Sequence, residues 1–265
     1  MPTYVQAFST LGIREANLNE VCALADEFGI NAVELRFLED TIQLPQLWQM
    51  RGVGPVQLAQ QVRSAGKAIP VIDTSLRLIG GTEADRAEVL ALVPFAEALG
   101  TRYLRVFDGA AAWGPDACRA AVETLEWWRS SRRSLGCAVD LVVETHDTLL
   151  TAPVLREFMA AFPGVALLWD AHHTWKKGGE ALHVTWQAIA PSVRHVHVKD
   201  SVAVADGKYD LVLPGRGEFP MRELRRLLDD AQWRGVVSLE WEKGWVPHLP
   251  PLRDALAAAR ERNWW

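Results

Sequence analysis

Eight short apolar runs recur along the chain, and longer stretches with helical spacing separate them. The runs are YVQAF (4–8), NAVELRF (31–37), IPVIDT (69–74), RYLRVF (102–107), AVDLVVE (138–144), VALLWD (165–170), VRHVHVK (193–199) and VVSLEWE (236–242). Their length and β-branched content predict strands. Helices are predicted over 18–29, 82–100, 115–136, 149–162, 179–189, 220–232 and 250–262, where apolar residues return every three or four positions. Gly29 and Gly100 close two of them, Thr82 opens one as an N-cap, and Pro115 suits a first turn. Pro94 falls inside the 82–100 pattern and predicts a kink there. Strands alternating with helices imply a parallel sheet. Eight such units in 265 residues is the arithmetic of one (β/α)8 TIM barrel spanning 1–265. An open doubly wound sheet usually carries a glycine-rich turn after its first strand, and the turn here, STLGIREANLNE, has no GxGxxG.

Strand residues two apart share a face, so the barrel predicts which side chains point inward. Val33, Leu35, Val143, Trp169, Leu239 and Trp241 fall on the helix-facing side. Glu34, Arg36, Asp73, Arg105, Phe107, Glu144, His146, Asp170, His195, His197, Lys199, Glu240 and Glu242 fall inward, toward the strand C-terminal ends. Strand one is ambiguous. Ionisable groups therefore gather at the mouth, where barrel enzymes place their chemistry. Buried carboxylates in such number need something positive to hold them. Glu144, Asp170, His197 and Glu240 end four consecutive strands. Three carboxylates and an imidazole suit one divalent metal ion, Mn, Mg, Co or Zn, with positions left for substrate oxygens. Taken singly, each also has an ordinary structural reading as a salt-bridge or capping residue.

Composition narrows the partners. The balance of 49% hydrophobic and 23% charged residues is that of a globular chain, and the net charge of −5 supplies no basic stripe for nucleic acid. Three separated cysteines, Cys22, Cys118 and Cys137, read as reduced thiols, and the N-terminal residues lack a signal pattern, so a cytoplasmic protein is expected. No apolar run is long enough to span a membrane. Of the 12 tryptophans, the terminal Trp264 and Trp265 suggest a contact with another subunit, in a homodimer or tetramer. Trp48 and Trp113 could stack on a sugar face or serve as subunit contacts, in the loops 36–52 and 109–115. The LPGRGEFP stretch (213–220) reads two ways: an ordinary strand-to-helix turn, or a loop whose free N–H groups and Arg216 hold a hydroxyl or an anion.

VVETH, LLWDAHH, VRHVHVKD, LPGRGEFPMRELRRLL and GVVSLEWE together resemble the xylose-isomerase-like superfamily of sugar isomerases and epimerases. The likeness runs along the whole chain and is strongest from 138 to 242. It implies Glu144, Asp170, His197 and Glu240 as metal ligands, with Glu144 and Glu240 as acid and base on opposite faces of the substrate. His173, completing D-x-x-H, resembles a substrate-contacting histidine, with His172 as its rival. His146 stands where the family's ENH pattern has histidine, Thr145 replacing asparagine, and Arg105 resembles a substrate-binding arginine. Lys199, Arg216 and Trp113 complete the candidate substrate contacts, and Lys199 is a candidate proton relay with His146 and His173. The expected reaction is metal-dependent isomerisation or epimerisation, through an enolate, of a keto- or aldo-sugar or related polyol. Dehydration of an inosose- or dehydroshikimate-like substrate is the alternative. A non-catalytic sugar-binding barrel and a phosphodiester-cleaving endonuclease stand further back.

Overall fold

The computed structural model describes residues 3–109 and 112–265. Among the described residues there are ten strands: β1 Val5–Ser9, β2 Ala32–Glu34, β3 Val71–Arg77, β4 Tyr103–Phe107, β5 Asp140–Glu144, β6 Ala166–Asp170, β7 Val193–Val198, β8 Asp200–Ala203, β9 Tyr209–Val212 and β10 Val236–Leu239. The helices are α1 Leu18–Phe28, α2 Leu44–Met50, α3 Pro55–Ser64, α4 Glu83–Leu99, α5 Pro115–Leu135, α6 Ala152–Ala161, α7 Ala171–Lys176, α8 Leu182–Ile189, α9 Met221–Asp230 and α10 Leu252–Glu261. Eight strands form one parallel sheet in the order β2-β1-β10-β7-β6-β5-β4-β3. Parallel bridges Ala32↔Ala68 and Leu35↔Ile72 join its two edges, so the sheet closes as a TIM barrel. The remaining pair, β8 and β9, is an antiparallel hairpin after β7.

Each of the eight predicted strands and seven predicted helices has its counterpart, with ends shifted by a few residues. α4 runs unbroken past Pro94. Its Thr82 cap accepts from the Asp85 N–H, and Asp85 answers at the Thr82 N–H, a reciprocal pair that satisfies two free donors. The helices α2, α3 and α7 and the β8–β9 hairpin were not anticipated. In α3 only Leu58, Ala59 and Val62 are buried among polar neighbours, too sparse an apolar stripe to stand out.

Register settles strand one. Ala7 pairs with Ser238 and Ser9 with Glu34, so Ala7 and Ser9 face inward and Phe8 packs outward in the barrel–helix core. Inside the barrel, Val71, Val142 and Leu168 form a separate apolar plug with Tyr103 and Ala166. Val71, Tyr103 and Ala166 begin their strands, and Val142 and Leu168 stand midway along theirs, before the strand-end Glu144 and Asp170. They floor the polar layer above.

The terminal tryptophans correct an expectation. Trp264 and Trp265 are buried within this chain, Trp264 against Phe219 and Trp265 with its carbonyl accepting from Gln6 Nε2 at 3.0 Å. They supply no free surface for a second subunit.

Candidate metal centre

Above the plug, inward residues of β5, β6 and β7, with Glu240 just past β10, meet. One ligating atom from each of Glu144, Asp170, His197 and Glu240 lies within 4.8 Å of the others, all buried. Two ligands each about 2.1 Å from an ion sit at most about 4.2 Å apart, so a slight contraction would seat one cation.

His197 is the hub. Its Nε2 meets both Glu34 oxygens at 3.0 and 2.9 Å, and its Nδ1 faces Glu144 Oε1 at 3.3 Å and Glu240 Oε1 at 3.5 Å. Burial works against a charged imidazole, but Glu34, Glu240 and Glu144 outweigh it and hold His197 well above the ordinary range. Glu34 also takes His195 Nε2 at 2.6 Å. Burial pushes the Glu34 carboxyl up, yet the two histidines keep it well below its usual value.

Cations flank the four candidates. The Arg105 Nε stands 3.3 Å from Asp73 and 3.4 Å from Glu144, with its guanidinium 4.0 Å above the Phe107 ring. Burial raises the Glu144 carboxyl, but Arg105 and His197 overcome it and bring it to about 2. Lys199 touches Asp170 at 2.8 Å, Glu242 at 2.7 Å, and Glu240. Together with His197 it outweighs burial and holds Glu240 well below the carboxylate range. Asp170 is different: burial prevails over Lys199 and lifts it to about 6.

The residues fit a divalent ion. Glu144 Oε1 and Oε2, Asp170 Oδ2 and His197 Nδ1 are buried and complete no hydrogen bond among the described residues, despite close charged neighbours. Buried polar atoms are almost always satisfied, and these four face one another. The Nε2 of His197 against Glu34 is the outer carboxylate contact that usually orients a ligating histidine.

Other predicted site residues fall into place or out of it. His173 is with the cluster, its Nδ1 3.1 Å from Asp170. His172 turns away, bonding Ser201 Oγ at 2.8 Å and packing on Tyr209 and Trp175. His146 packs edge-on against His173 and Phe107 at 4.7 and 4.9 Å. Lys199 and Asp200 are both buried. Trp113 does not join the cluster: it packs on Phe158 and Phe162 of the α6 region, at 5.5 and 6.3 Å, because its ring completes the helix layer. Ala110 and Ala111 of its loop lie outside the described residues. Trp48 is buried against Phe95, 4.6 Å between ring centroids.

The 213–220 loop takes the structural reading. Asp200 accepts the N–H groups of Gly215, Gly217 and Phe219 at 2.8, 2.9 and 3.0 Å. The anion held there is the chain's own carboxylate. A Cβ on Gly217 would stand 2.2 Å from Asp200 Oδ1, which accounts for that glycine. Arg216 is exposed and makes no side-chain hydrogen bond among the described residues.

Sequence reasoning placed Glu34, Asp73 and Glu242 inward without giving them a role. It missed Asp108, which accepts N–H groups of Gly109, His146, Asp147, Thr148 and Leu149 at 2.6 to 3.1 Å. That carboxylate holds the turn carrying His146. Its only sequence signal is an Asp-Gly pair after a strand.

The chain belongs to the xylose isomerase-like TIM barrel family, whose model matches residues 22–264. No match was found among curated proteins. Solved structures share the fold at low identity. One is described as the probable 3-DHS dehydratase AsbF involved in petrobactin synthesis from Bacillus anthracis. It has a TM-score of 0.77 and 17% identity, over 98% of this chain and 100% of that one. Another is the IOLI protein with a binding zinc atom, with a TM-score of 0.75 and 16% identity, over 99% and 96%. A third is a D-tagatose 3-epimerase-like protein, with a TM-score of 0.70 and 14% identity, over 99% and 96%. No helix is long and apolar enough to cross a membrane among the described residues.

Proposed function

We propose that the chain is a divalent-metal-dependent isomerase or epimerase of a sugar or polyol, with Glu144, Asp170, His197 and Glu240 holding the ion. The observation that carries this reading is the meeting of those four side chains, with buried acceptor atoms left unfilled between them. The zinc in the IOLI structure supports it. Such an ion would polarise a carbonyl beside a hydroxyl and acidify the C–H between them.

The chain's own groups would move the proton. Glu144 and Glu240 are both ionised at neutral pH and belong to non-adjacent strands, β5 and the end of β10, so either can take a proton from its own side. Burial and the charge of Lys199 hold His173 well below the ordinary imidazole range, so it stays neutral. Asp170 Oδ2 stands 3.1 Å from its Nδ1. His173 Nε2, 4.0 Å from Glu242, is placed to pass a proton toward a substrate oxygen. Lys199 holds Asp170, Glu240 and Glu242 together. Arg105 keeps Glu144 charged.

Dehydration is the second reading, favoured by the likeness to the structure described as a dehydratase over that chain's whole length. The same proton removal followed by loss of a β-hydroxyl gives it. Incubating the purified protein with manganese and a panel of ketoses and inososes in deuterated water separates the two. Isomerisation leaves a product with deuterium at carbon and the substrate's composition, whereas dehydration leaves one lighter by water. No exchange into any of them by a metal-loaded protein contradicts both.

A further inference from the structure

The β2–β3 side of the mouth holds a charge that the metal reading does not use. Arg36 follows β2, two residues past Glu34 on the same inward face, a step of ~7 Å toward the mouth. It is only 5% exposed. Its guanidinium makes three long hydrogen bonds, Nη1 to the Asp73 carbonyl and to Ser75 Oγ, and Nη2 to Ser75 Oγ, each 3.4 Å. No carboxylate oxygen lies within 4.0 Å of it among the described residues, whereas the other buried cations all have one: Arg105 has Asp73 and Glu144, Lys199 has Asp170, Lys67 has Asp26. Glu88 of α4 does not fill the gap. Its Oε2 accepts the Ser75 N–H at 3.1 Å, and its Oε1 is buried with no hydrogen-bond partner. Burial and the neighbouring Arg105 charge pull Arg36 down to about 10. A buried guanidinium with weakly filled donors is costly, and Arg36 lies on the inward face close enough to Arg105, which borders the metal cluster, to feel its charge.

Resting on the function proposed above, we propose that Arg36 is the specificity-determining residue of the site and binds a carboxylate on the substrate. The substrate is then a hydroxylated keto acid rather than a neutral ketose. One planar fork with no carboxylate partner matches one carboxylate. A phosphoryl dianion would need a second cation, and Arg105 is already held between two carboxylates. The competing role for Arg36 is a strut across the β2–β3 seam, which would give no preference between charged and neutral ligands.

Calorimetric titration of the manganese-loaded full chain with two matched pairs decides the matter: D-gluconate against D-glucitol, and D-glucuronate against D-glucose. The acids are expected to bind about tenfold or more tightly than their neutral partners, the worth of a charge-assisted pair. Arg36→Gln is expected to bring that ratio near one while manganese stoichiometry, measured separately, is unchanged. Arg36→Lys keeps part of the ratio, and serves if the glutamine variant does not fold. A wild-type ratio near one, no binding of either acid, or a ratio that survives Arg36→Gln overturns the proposal, the last because the carboxylate then sits elsewhere. Arg36-dependent binding of D-glucose 6-phosphate tighter than that of D-glucuronate overturns the choice of carboxylate. Failure of the metal reading shows separately, as a chain that takes up no manganese, and the same titrations without metal still report the Arg36 ratio.

Discussion

Single residues divide into those that would hold the ion and those that hold them. Glu240 belongs to the first group, facing His197 and Lys199. Glu240→Gln is expected to abolish turnover and to lower metal occupancy by about tenfold or more, read by elemental analysis of the purified variant. Unchanged occupancy removes Glu240 from the ligand set. The two histidines of β7 differ in the same way. His197 reaches the cluster with its Nδ1, while His195 reaches only Glu34. His197→Ala should therefore cost more metal affinity than His195→Ala. The intermediate carboxylate, Glu34, should fall between them when changed to Gln. Equal losses for the two alanine variants contradict this assignment. Glu34 was legible as an inward residue from strand parity alone. Its partnership with His197 was not, because the two are 163 positions apart and only the pairing of the first strand β1 with the last strand β10 brings the β2 side to the β7 side.

Elements bring these side chains to one depth, and buried carboxylates outside the cluster tie the connecting segments down. Asp108 gathers the N–H groups of residues 146 to 149, and with them the turn that presents His146 to His173. Asp108→Asn is expected to cost about 1–3 kcal/mol, since an amide cannot accept so many N–H groups at once. A lowered melting temperature with metal affinity largely kept is the outcome that fits. A melting temperature equal to wild type would show that the turn holds itself. The strands were legible because alternation marks them strongly: Trp169 and Asp170, or Leu239 and Glu240, separate helix side from mouth side within two residues. The helices α2, α3 and α7 were not. α2 and α7 have seven and six residues, too few to show a helical period. α7 starts directly after Asp170, which caps it by accepting the His173 N–H at 2.8 Å. The same residue thus ends a strand, caps a helix and stands among the candidate ligands, and a periodicity reading assigns it only the first role.

The whole molecule sets the background against which the site operates. Its parallel strands are covered by helices all round, and the interior splits into an apolar plug and a polar mouth. The likeness in motif order pointed to this architecture because spacing between strand ends is fixed by barrel closure. The packing of the terminal tryptophans onto the chain itself lies beyond any such pattern, for a tryptophan pair reads alike whether its partner is internal or external. A stability prediction follows from Tyr4, packed near Arg225 and Asp229 with a buried hydroxyl that has no partner among the described residues. Burial, with Arg225 opposing and Asp229 adding, raises it to about 12. The folded state keeps its proton through a pH range where the unfolded chain, ionising near ~10, has lost it. Stability is therefore full below about pH 10 and declines as pH climbs toward about 12. Tyr4→Phe should flatten that alkaline decline and leave neutral-pH stability equal or higher. Parallel denaturation curves for both proteins at every pH would show that Tyr4 carries none of it.

The centre of the account is a single cation held by side chains from β5, β6, β7 and the end of β10. Crystals of the full chain soaked in manganese and measured at the manganese absorption edge test it most directly. The account predicts one strong anomalous peak, about 2.0–2.3 Å from oxygens of Glu144, Asp170 and Glu240 and from a nitrogen of His197. An empty map among those four residues, or a peak bound by other side chains alone, would contradict it.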